Sequence, residues 1–331
     1  MHSRKLAPVG ALAVAVAAAV AIMAVGASAH SAAPPQLTVT NTAGQTAHLM
    51  VPPGVAKQLP ALSTDLTYHG GPVMTTAKAY LIFWLPTSGK LQDGAATSLS
   101  STYRHISQQF VSDYGGHSLA TNNTQYSQVV GSTTTYGKST VTLGGTDMES
   151  ASYPVSGCAS SLGPDCITDA QINSEVAHAM AVKGWTAGPT HIFILFTSKG
   201  ETSCFDASGS ECAYTQYCAY HSYFGSNTIY ANMPYADSRC QAGFLGQHFP
   251  NSADGDASAN LTSHELTEAI TDPLINAWYD ASGEELGDKC AWNFGSPSWD
   301  GGLANEMWAG HFYDVQLEYD NHTSSCVDVG P

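Results

Sequence analysis

Residues 262–273 read Thr-Ser-His-Glu-Leu-Thr-Glu-Ala-Ile-Thr-Asp-Pro. The stretch predicts the last turns of a helix that ends at Asp272, because the residue before a proline is disfavoured in the α region. His264 and Glu268 are four residues apart and therefore lie on one helix face, with Glu265 about 100° round the axis. The opposite side carries three apolar residues that can be buried: Leu266, Ala269 and Ile270.

An imidazole and a carboxylate at this spacing, with a second carboxylate beside them, are typical of a zincin active-site helix with one substitution. The usual pattern is His-Glu-x-x-His, and Glu268 stands at the second histidine position. Zinc accepts carboxylate oxygen as well as imidazole nitrogen, so His264 and Glu268 remain candidate metal ligands. The alternative interpretation is a solvated polar pair on an exposed helix face.

A third ligand is expected in the segment after Pro273. A carboxylate roughly two dozen residues after the first ligand is a spacing that thermolysin-like zincins also use. Glu285 and Asp288 both meet this condition, and the sequence does not choose between them. One imidazole with two or three carboxylates is a hard ligand set, so Mn²⁺ and Ca²⁺ are alternatives to Zn²⁺. Zinc is the first expectation, because a structural calcium site seldom uses histidine.

The same residues suggest roles in catalysis. If the site hydrolyses amides, Glu265 is the general base that takes a proton from water as it attacks a carbonyl polarised by the metal. His221 or Tyr220 would stabilise the oxyanion, although a lone histidine in such a loop is more often structural. Asp272 either supports His264 by a hydrogen bond or simply ends the helix.

The N-terminus predicts export. Arg4 and Lys5 precede a long apolar run and a small-x-small cleavage site, so residues 1–29 are predicted to be a secretory signal peptide. An uncleaved N-terminal anchor is the alternative. Residues 30–66 are rich in Ala, Pro, Thr and Gly and are predicted to be a loosely ordered arm without assigned chemistry. Residues 67–331 are then expected to form a single domain.

Charge restricts the partners. The chain has 11 Lys+Arg and 27 Asp+Glu, a net charge of −16, and loss of Arg4 and Lys5 with the signal peptide leaves −18. Nucleic acid and anionic membranes both reward Lys and Arg, so neither is expected to bind the mature chain. Peptide or protein substrates and cell-wall glycans remain candidate partners.

Eight cysteines in an exported chain predict four disulfides. The cost of loop closure favours partners that are close in sequence. The predicted pairs are Cys158–Cys166, Cys204–Cys212, Cys218–Cys240 and Cys290–Cys326.

The order of elements predicts an α+β, zincin-like domain with a twisted mixed sheet, an active-site helix and disulfide-rich loops. The predicted elements are two buried strands, two amphipathic helices, a pair of exposed strands and an edge strand before the motif helix. In chain order these are strand 78–85, helix 94–114, exposed strands 127–130 and 139–143, helix 169–183, strand 191–196, edge strand 227–232, and the motif helix from about residue 256.

Several short motifs occur in the same order as in a known family. They are Tyr68-His-Gly-Gly-Pro-Val, Ala79-Tyr-Leu-Ile-Phe-Trp, Tyr217-Cys-Ala-Tyr-His221, His264-Glu-Leu-Thr-Glu, Asp272-Pro-Leu-Ile-Asn-Ala-Trp-Tyr279, Glu285-Leu-Gly-Asp288-Lys-Cys290 and Ser324-Ser-Cys326. On these motifs the chain resembles the EXORDIUM-like, or phosphate-induced-protein, family. The resemblance implies a secreted, cell-wall-associated protein and brings no established reaction with it.

Two functions from different classes follow. The first is a secreted zinc-dependent peptidase. The second is a non-catalytic extracellular protein that binds cell-wall glycan or a receptor. Five aromatic residues of the final third bear on the second function, because they could form either a buried core or a sugar-stacking surface: Trp278, Tyr279, Trp292, Trp299 and Trp308.

Overall fold

A mixed β-sheet of seven strands forms the centre of the protein in a computed structural model, which describes residues 37–56, 64–86, 101–154, 157–159, 165–241 and 249–331. The predicted signal peptide lies outside these residues. The described strands are β1 (Thr38–Thr40), β2 (Thr46–Met50), β3 (Thr67–Tyr68), β4 (Ala77–Trp84), β5 (Ser127–Val130), β6 (Thr133–Tyr136), β7 (Val141–Glu149), β8 (Asp165–Thr168), β9 (His191–Thr197), β10 (Glu201–Cys204), β11 (Ala219–Phe224), β12 (Thr228–Met233), β13 (Trp278–Tyr279), β14 (Glu306–Trp308), β15 (His311–Tyr313), β16 (Glu318–Asp320) and β17 (Ser325–Val327).

The helices are α1 (Pro53–Ala56), α2 (Ser101–Tyr114), α3 (Asp169–Lys183), α4 (Ser238–Gln241) and α5 (Ala253–Thr271). Three short 3₁₀ helices span Leu119–Gln125, Asp288–Cys290 and Asp300–Gly302. The predicted helix 169–183 is confirmed. Its first turn is capped as expected, because the Gln171 side chain accepts the backbone N–H of Thr168 at 2.8 Å.

The large sheet has the order β1-β2-β11-β12-β9-β4-β7. Strands β12, β9, β4 and β7 are parallel, whereas β11, β2 and β1 add to the β12 side in antiparallel fashion. The central strands β4 and β9 are apolar along almost their whole length and are buried, as parallel strands covered on both faces usually are. The chain therefore has a mixed α/β architecture.

Helix α5 carries the motif of residues 262–273 and packs against α2 and against strands β2, β9, β11 and β12. It begins after the N-cap residue Ser252 and ends at Asp272, so the predicted helix end is confirmed and its start lies a few residues earlier than expected. Its residues 254–271 are buried. The interpretation of His264 and Glu268 as a solvated pair on an exposed face is therefore wrong.

Two other expectations need correction, and a third is only partly covered by the described residues. The segment 227–232 corresponds to β12, which is flanked by β11 and β9 and is not an edge strand. Strand β5 pairs with β6, whereas residues 141–149 form β7 at the edge of the large sheet. The part of helix 94–114 before residue 101 lies outside the described residues.

The predicted loosely ordered arm also contains ordered structure. Strands β1 and β2 lie within it and form the antiparallel end of the large sheet. Leu37, Val39, Leu49 and Met50 contribute apolar side chains to the main core, each at most 6 % exposed. The prediction is wrong for residues 37–50. The free energy that orders them comes from pairing with β11, which is distant in sequence, so local composition does not reveal it.

The four predicted disulfides, Cys158–Cys166, Cys204–Cys212, Cys218–Cys240 and Cys290–Cys326, are confirmed. Such a set is typical of proteins from oxidising compartments. None of the described helices is long and apolar enough to cross a bilayer.

Candidate metal centre

Helix α5 places three candidate site residues next to one another. His264 Nε2 lies 3.1 Å from Glu268 Oε1, as the spacing of four residues predicts. Glu265, one residue after His264, turns toward strand β11, where its Oε2 lies 3.3 Å from His221 Nδ1. The Glu268 carboxylate reaches the same histidine with its other oxygen, which is 3.6 Å from His221 Nδ1.

The segment after β13 brings the two later carboxylates to this helix. The backbone N–H of Asp288 donates to Glu268 Oε1 at 3.1 Å, and Asp288 Oδ1 lies 3.7 Å from His264 Nε2. The backbone N–H of Glu285 donates to Asp288 Oδ2 at 3.0 Å. Asp288 opens a 3₁₀ turn that ends at Cys290, whose disulfide holds the turn against β17.

The sheet supplies two histidines from neighbouring strands. In the pairing of β11 with β2, His221 stands directly opposite His48, and their rings are stacked with centroids 5.9 Å apart. His48 Nε2 forms a short contact with Asp288 Oδ2, and its Nδ1 lies 3.2 Å from Glu285 Oε1. His221 Nε2 lies 3.8 Å from the same Glu285 oxygen. Sequence analysis missed His48, which lies within the predicted arm.

We call these residues the carboxylate–histidine cluster: His48, His221, His264, Glu265, Glu268, Glu285 and Asp288. Each is at most 3 % exposed. Two overlapping sets within the cluster have ligand atoms that all lie within 4.8 Å of one another. These sets are His48, Glu268 and Asp288, and His221, Glu268 and Glu285.

Many polar atoms of the cluster have no hydrogen-bond partner in the described chain. They include His264 Nε2, Glu268 Oε2, Asp288 Oδ1 and both carboxylate oxygens of Glu285. A buried polar atom left without a partner costs free energy. Glu268, Asp288 and Glu285 also belong to the two sets with closely spaced ligand atoms, so their unpaired oxygens fit a bound metal ion, to which they would donate lone pairs.

The carboxylates of the cluster are difficult to ionise together. Burial raises the pKa of Glu265 well above its ordinary value, and the neighbouring Glu268 and Asp288 carboxylates raise it further. Burial and adjacent carboxylates likewise raise the pKa of Glu285 and Glu268. Among the described residues, no ion pair joins these carboxylates to a lysine or arginine. A divalent cation would supply the missing positive charge.

The three histidines differ in their electrostatic surroundings. Burial opposes protonation of His48, but Asp288 outweighs this effect and raises the pKa of His48 to about 9. Burial also opposes protonation of His264, whose pKa is nevertheless raised by Glu268. The pKa of His221 is lowered well below its ordinary value by burial and by the proximity of His48. His221 therefore keeps a free lone pair at neutral pH, as metal ligation requires.

Two residues outside the cluster shape it. A Cβ atom at Gly287 would lie 2.8 Å from both Glu268 Oε1 and His264 Nδ1, so only glycine fits against these side chains. The Gln316 side-chain amide donates to the Gly287 carbonyl oxygen at 2.8 Å and lies 3.0 Å from His264 Nδ1. In this orientation the amide N–H also faces His264 Nδ1, so the proton of a neutral ring lies on Nε2. Ligation of a metal through Nε2 would require the other tautomer and a turned amide, with loss of the hydrogen bond to the Gly287 carbonyl oxygen.

Two alternatives from the sequence can now be placed. Tyr220 precedes His221 in β11 and therefore points to the other face of the strand, where its hydroxyl donates to Asp169 at 2.7 Å. Asp272 Oδ1 accepts the backbone N–H groups of Asn276 and Ala277, which matches a role at the helix end. Its Oδ2 has no hydrogen-bond partner within the described chain.

The aromatic residues of the final third differ in how deeply they are buried. Trp308 and Trp292 are buried, and the Trp292 indole N–H donates to the Val51 carbonyl oxygen at 2.9 Å. Trp278 is half-buried and donates to the carbonyl oxygen of Ser127. Trp299 is exposed. The two buried tryptophans thus follow the core interpretation.

No protein-family model matches the chain, and comparison with curated proteins and with solved structures also found no match. The resemblance to the EXORDIUM-like family therefore rests on the motifs of the sequence alone. What the described residues establish is a buried group of histidines and carboxylates that could bind a metal.

Proposed function

We propose that the protein is an exported, disulfide-bonded metalloprotein that holds one divalent transition-metal ion, zinc first, and hydrolyses amide bonds of peptides. The observation that carries the proposal is the carboxylate–histidine cluster, with its unpaired buried donor atoms around Glu268. The predicted signal peptide and the four disulfides support export. A zincin-like relationship and membership of the EXORDIUM-like family are part of the same proposal.

His264, Glu268 and Asp288 are the proposed ligands. Their contacts of 3.1 Å and 3.7 Å between His264 Nε2 and the two carboxylates suit donors that share one ion. This choice leaves Glu285 outside the ligand set, since Glu285 faces His48 and His221. An ion at this position would polarise a substrate carbonyl and make water a nucleophile at neutral pH.

Glu265 is the proposed general base. It lies beside the ligand pair on α5 but is not required to hold the ion. Burial raises its pKa, which makes the carboxylate a stronger base than an exposed glutamate. His221 Nδ1 lies 3.3 Å from Glu265 Oε2, and in the tautomer with the proton on Nδ1 it would donate to the carboxylate and orient it. His221 is thus proposed to position the base, in place of the oxyanion role expected from sequence.

A second function is favoured by one specific observation, namely that a fourth potential protein ligand lies beside the proposed three. His48 lies against Asp288 and could supply a fourth ligand, and four protein ligands are typical of structural zinc sites, whereas catalytic sites keep one position open. A centre closed in this way would stabilise a non-catalytic extracellular protein that binds glycan or a receptor. The two functions make opposite predictions for the substitution of Glu265.

The experiment compares wild type with Glu265→Gln for cleavage of a mixed peptide library, zinc content and melting temperature on the same preparations. The matched control is Glu211→Gln, a carboxylate outside the cluster. If the protein is a hydrolase, Glu265→Gln lowers the rate at least ~10²-fold, the usual scale for general-base catalysis, while zinc content stays the same. Wild type that retains zinc and cleaves no peptide would favour the structural role.

A further inference from the structure

We propose that the carboxylate–histidine cluster holds a second divalent transition-metal ion, with Glu268 bridging the two ions through its two carboxylate oxygens. The second position is formed by His221 and Glu285 together with Glu268. The inference rests on the proposed function for the first ion and goes beyond it, because that function requires only one.

The two oxygens of Glu268 point to different groups of donors. Its Oε1 lies 3.1 Å from His264 Nε2 and accepts the backbone N–H of Asp288, on the side of the first ion. Its Oε2 lies 3.6 Å from His221 Nδ1 and has no hydrogen-bond partner in the described chain. A carboxylate placed between two sets of donors in this way is the bridging arrangement found in two-metal hydrolases, whose ions are about 3.5–4 Å apart.

The second side has its own unpaired, buried donors. Glu285 is fully buried, and neither of its oxygens accepts a hydrogen bond among the described residues, although its Oε1 lies 3.2 Å from His48 Nδ1. Its Oε1 is 3.8 Å from His221 Nε2, which is also unpaired and fully buried. His221, Glu268 and Glu285 each offer a ligand atom within 4.8 Å of the others. One nitrogen and two carboxylate oxygens suit Zn²⁺ or Mn²⁺.

Formal charge points to the same number of ions. The cluster contains four carboxylates, Glu265, Glu268, Glu285 and Asp288, all buried and without a lysine or arginine partner in the described chain. A single divalent ion would neutralise two of the four formal negative charges, and a protonated His48, which contacts Asp288, at most one more, so that one ion leaves a negative charge uncompensated. Leaving uncompensated charge in a medium of low dielectric constant is costly.

The test is the metal content of the full chain after loading with Zn²⁺ and dialysis to remove weakly held ions. Wild type is expected to retain two equivalents. His221→Ala and Glu285→Gln should each retain one, whereas Glu268→Ala should lose both because it removes the bridge. His105→Ala, at an exposed histidine on α2, is the matched control and should retain two.

A second measurement needs no variant and therefore does not depend on how the substitutions fold. The metal-free wild-type chain is titrated with Co²⁺, and the visible absorbance of bound cobalt is followed. A plateau at two equivalents supports the two-ion centre. A plateau at one equivalent, with one zinc after dialysis, would overturn the second site while leaving the proposed function intact. No bound metal in either measurement would overturn both.

Discussion

Gly287→Ala tests the metal centre by adding one methyl group at its wall. Gly287 has φ −71° and ψ −43°, a conformation that alanine adopts without strain. The new Cβ would lie 2.8 Å from Glu268 Oε1 and from His264 Nδ1. An ordinary contact needs about 3.4 Å or more, so both side chains, or the Gly287 backbone, must move by about 0.6 Å.

This displacement is large for a metal site. Protein–metal distances vary by about ±0.2 Å, and both of the crowded side chains, Glu268 and His264, are proposed ligands. Zinc affinity is expected to fall roughly 10–100-fold, the range found when the support of a ligand is disturbed. The fold change corresponds to about 1.4–2.7 kcal/mol of binding free energy.

The stability of the metal-free protein should change less than its affinity for zinc. Overpacking costs about 1–3 kcal/mol, and alanine recovers about 0.4–1 kcal/mol by restricting the unfolded chain. Gly54→Ala is the matched control, because its added Cβ meets no atom within 4 Å. It should leave zinc affinity unchanged.

The assay is competition for zinc between the protein and a chromophoric chelator, with the melting temperature measured on the same samples. Zinc affinity of a folded Gly287→Ala variant within about twofold of wild type would refute the reasoning. It would mean that the groups beside Gly287 do not hold the ion.

Two further predictions concern stability. Because the pKa values of Glu265 and Glu285 are raised in the folded state, the metal-free protein binds more protons folded than unfolded. The contribution of these two carboxylates to the free energy of unfolding should therefore be complete below about pH 4 and fall as the pH rises, whereas the lowered pKa of His221 acts in the opposite direction. Denaturant titrations should show zinc suppressing this fall, and a metal-free protein that gains stability from pH 4 to 7 would contradict it. Replacing Cys290 and Cys326 by serine should lower the free energy of unfolding by about 2–4 kcal/mol and weaken zinc binding, because Asp288 begins the turn that this disulfide holds. Unchanged zinc affinity in the double serine variant would show that the disulfide does not support the metal site.

The residues that local sequence could identify are those on α5 and in the loop after it. The i, i+4 spacing of His264 and Glu268 follows from helix geometry alone, and Pro273 fixes the helix end. Glu285 and Asp288 were both expected near the site, and both lie in the cluster. The choice between them required distances to His264, which no local pattern contains.

His48 could not be found in this way. Its place in the cluster depends on the pairing of β2 with β11, which brings it opposite His221 across a long sequence separation. A short strand in a segment rich in threonine gives little periodic signal. The structural setting of His221 was also missed, because the segment that carries it was not recognised as strand β11. Alternation along that strand explains why Tyr220 points away from the site.

The most direct test of the central claim is anomalous X-ray diffraction from crystals of the zinc-loaded protein, recorded above and below the zinc absorption edge. The account predicts a zinc peak bonded to His264 Nε2 and to the carboxylates of Glu268 and Asp288. Crystals of the His264→Ala/Glu268→Ala variant, grown and measured in the same way, should show no peak there. A wild-type map without a peak in the carboxylate–histidine cluster, or with zinc only elsewhere, would contradict the account.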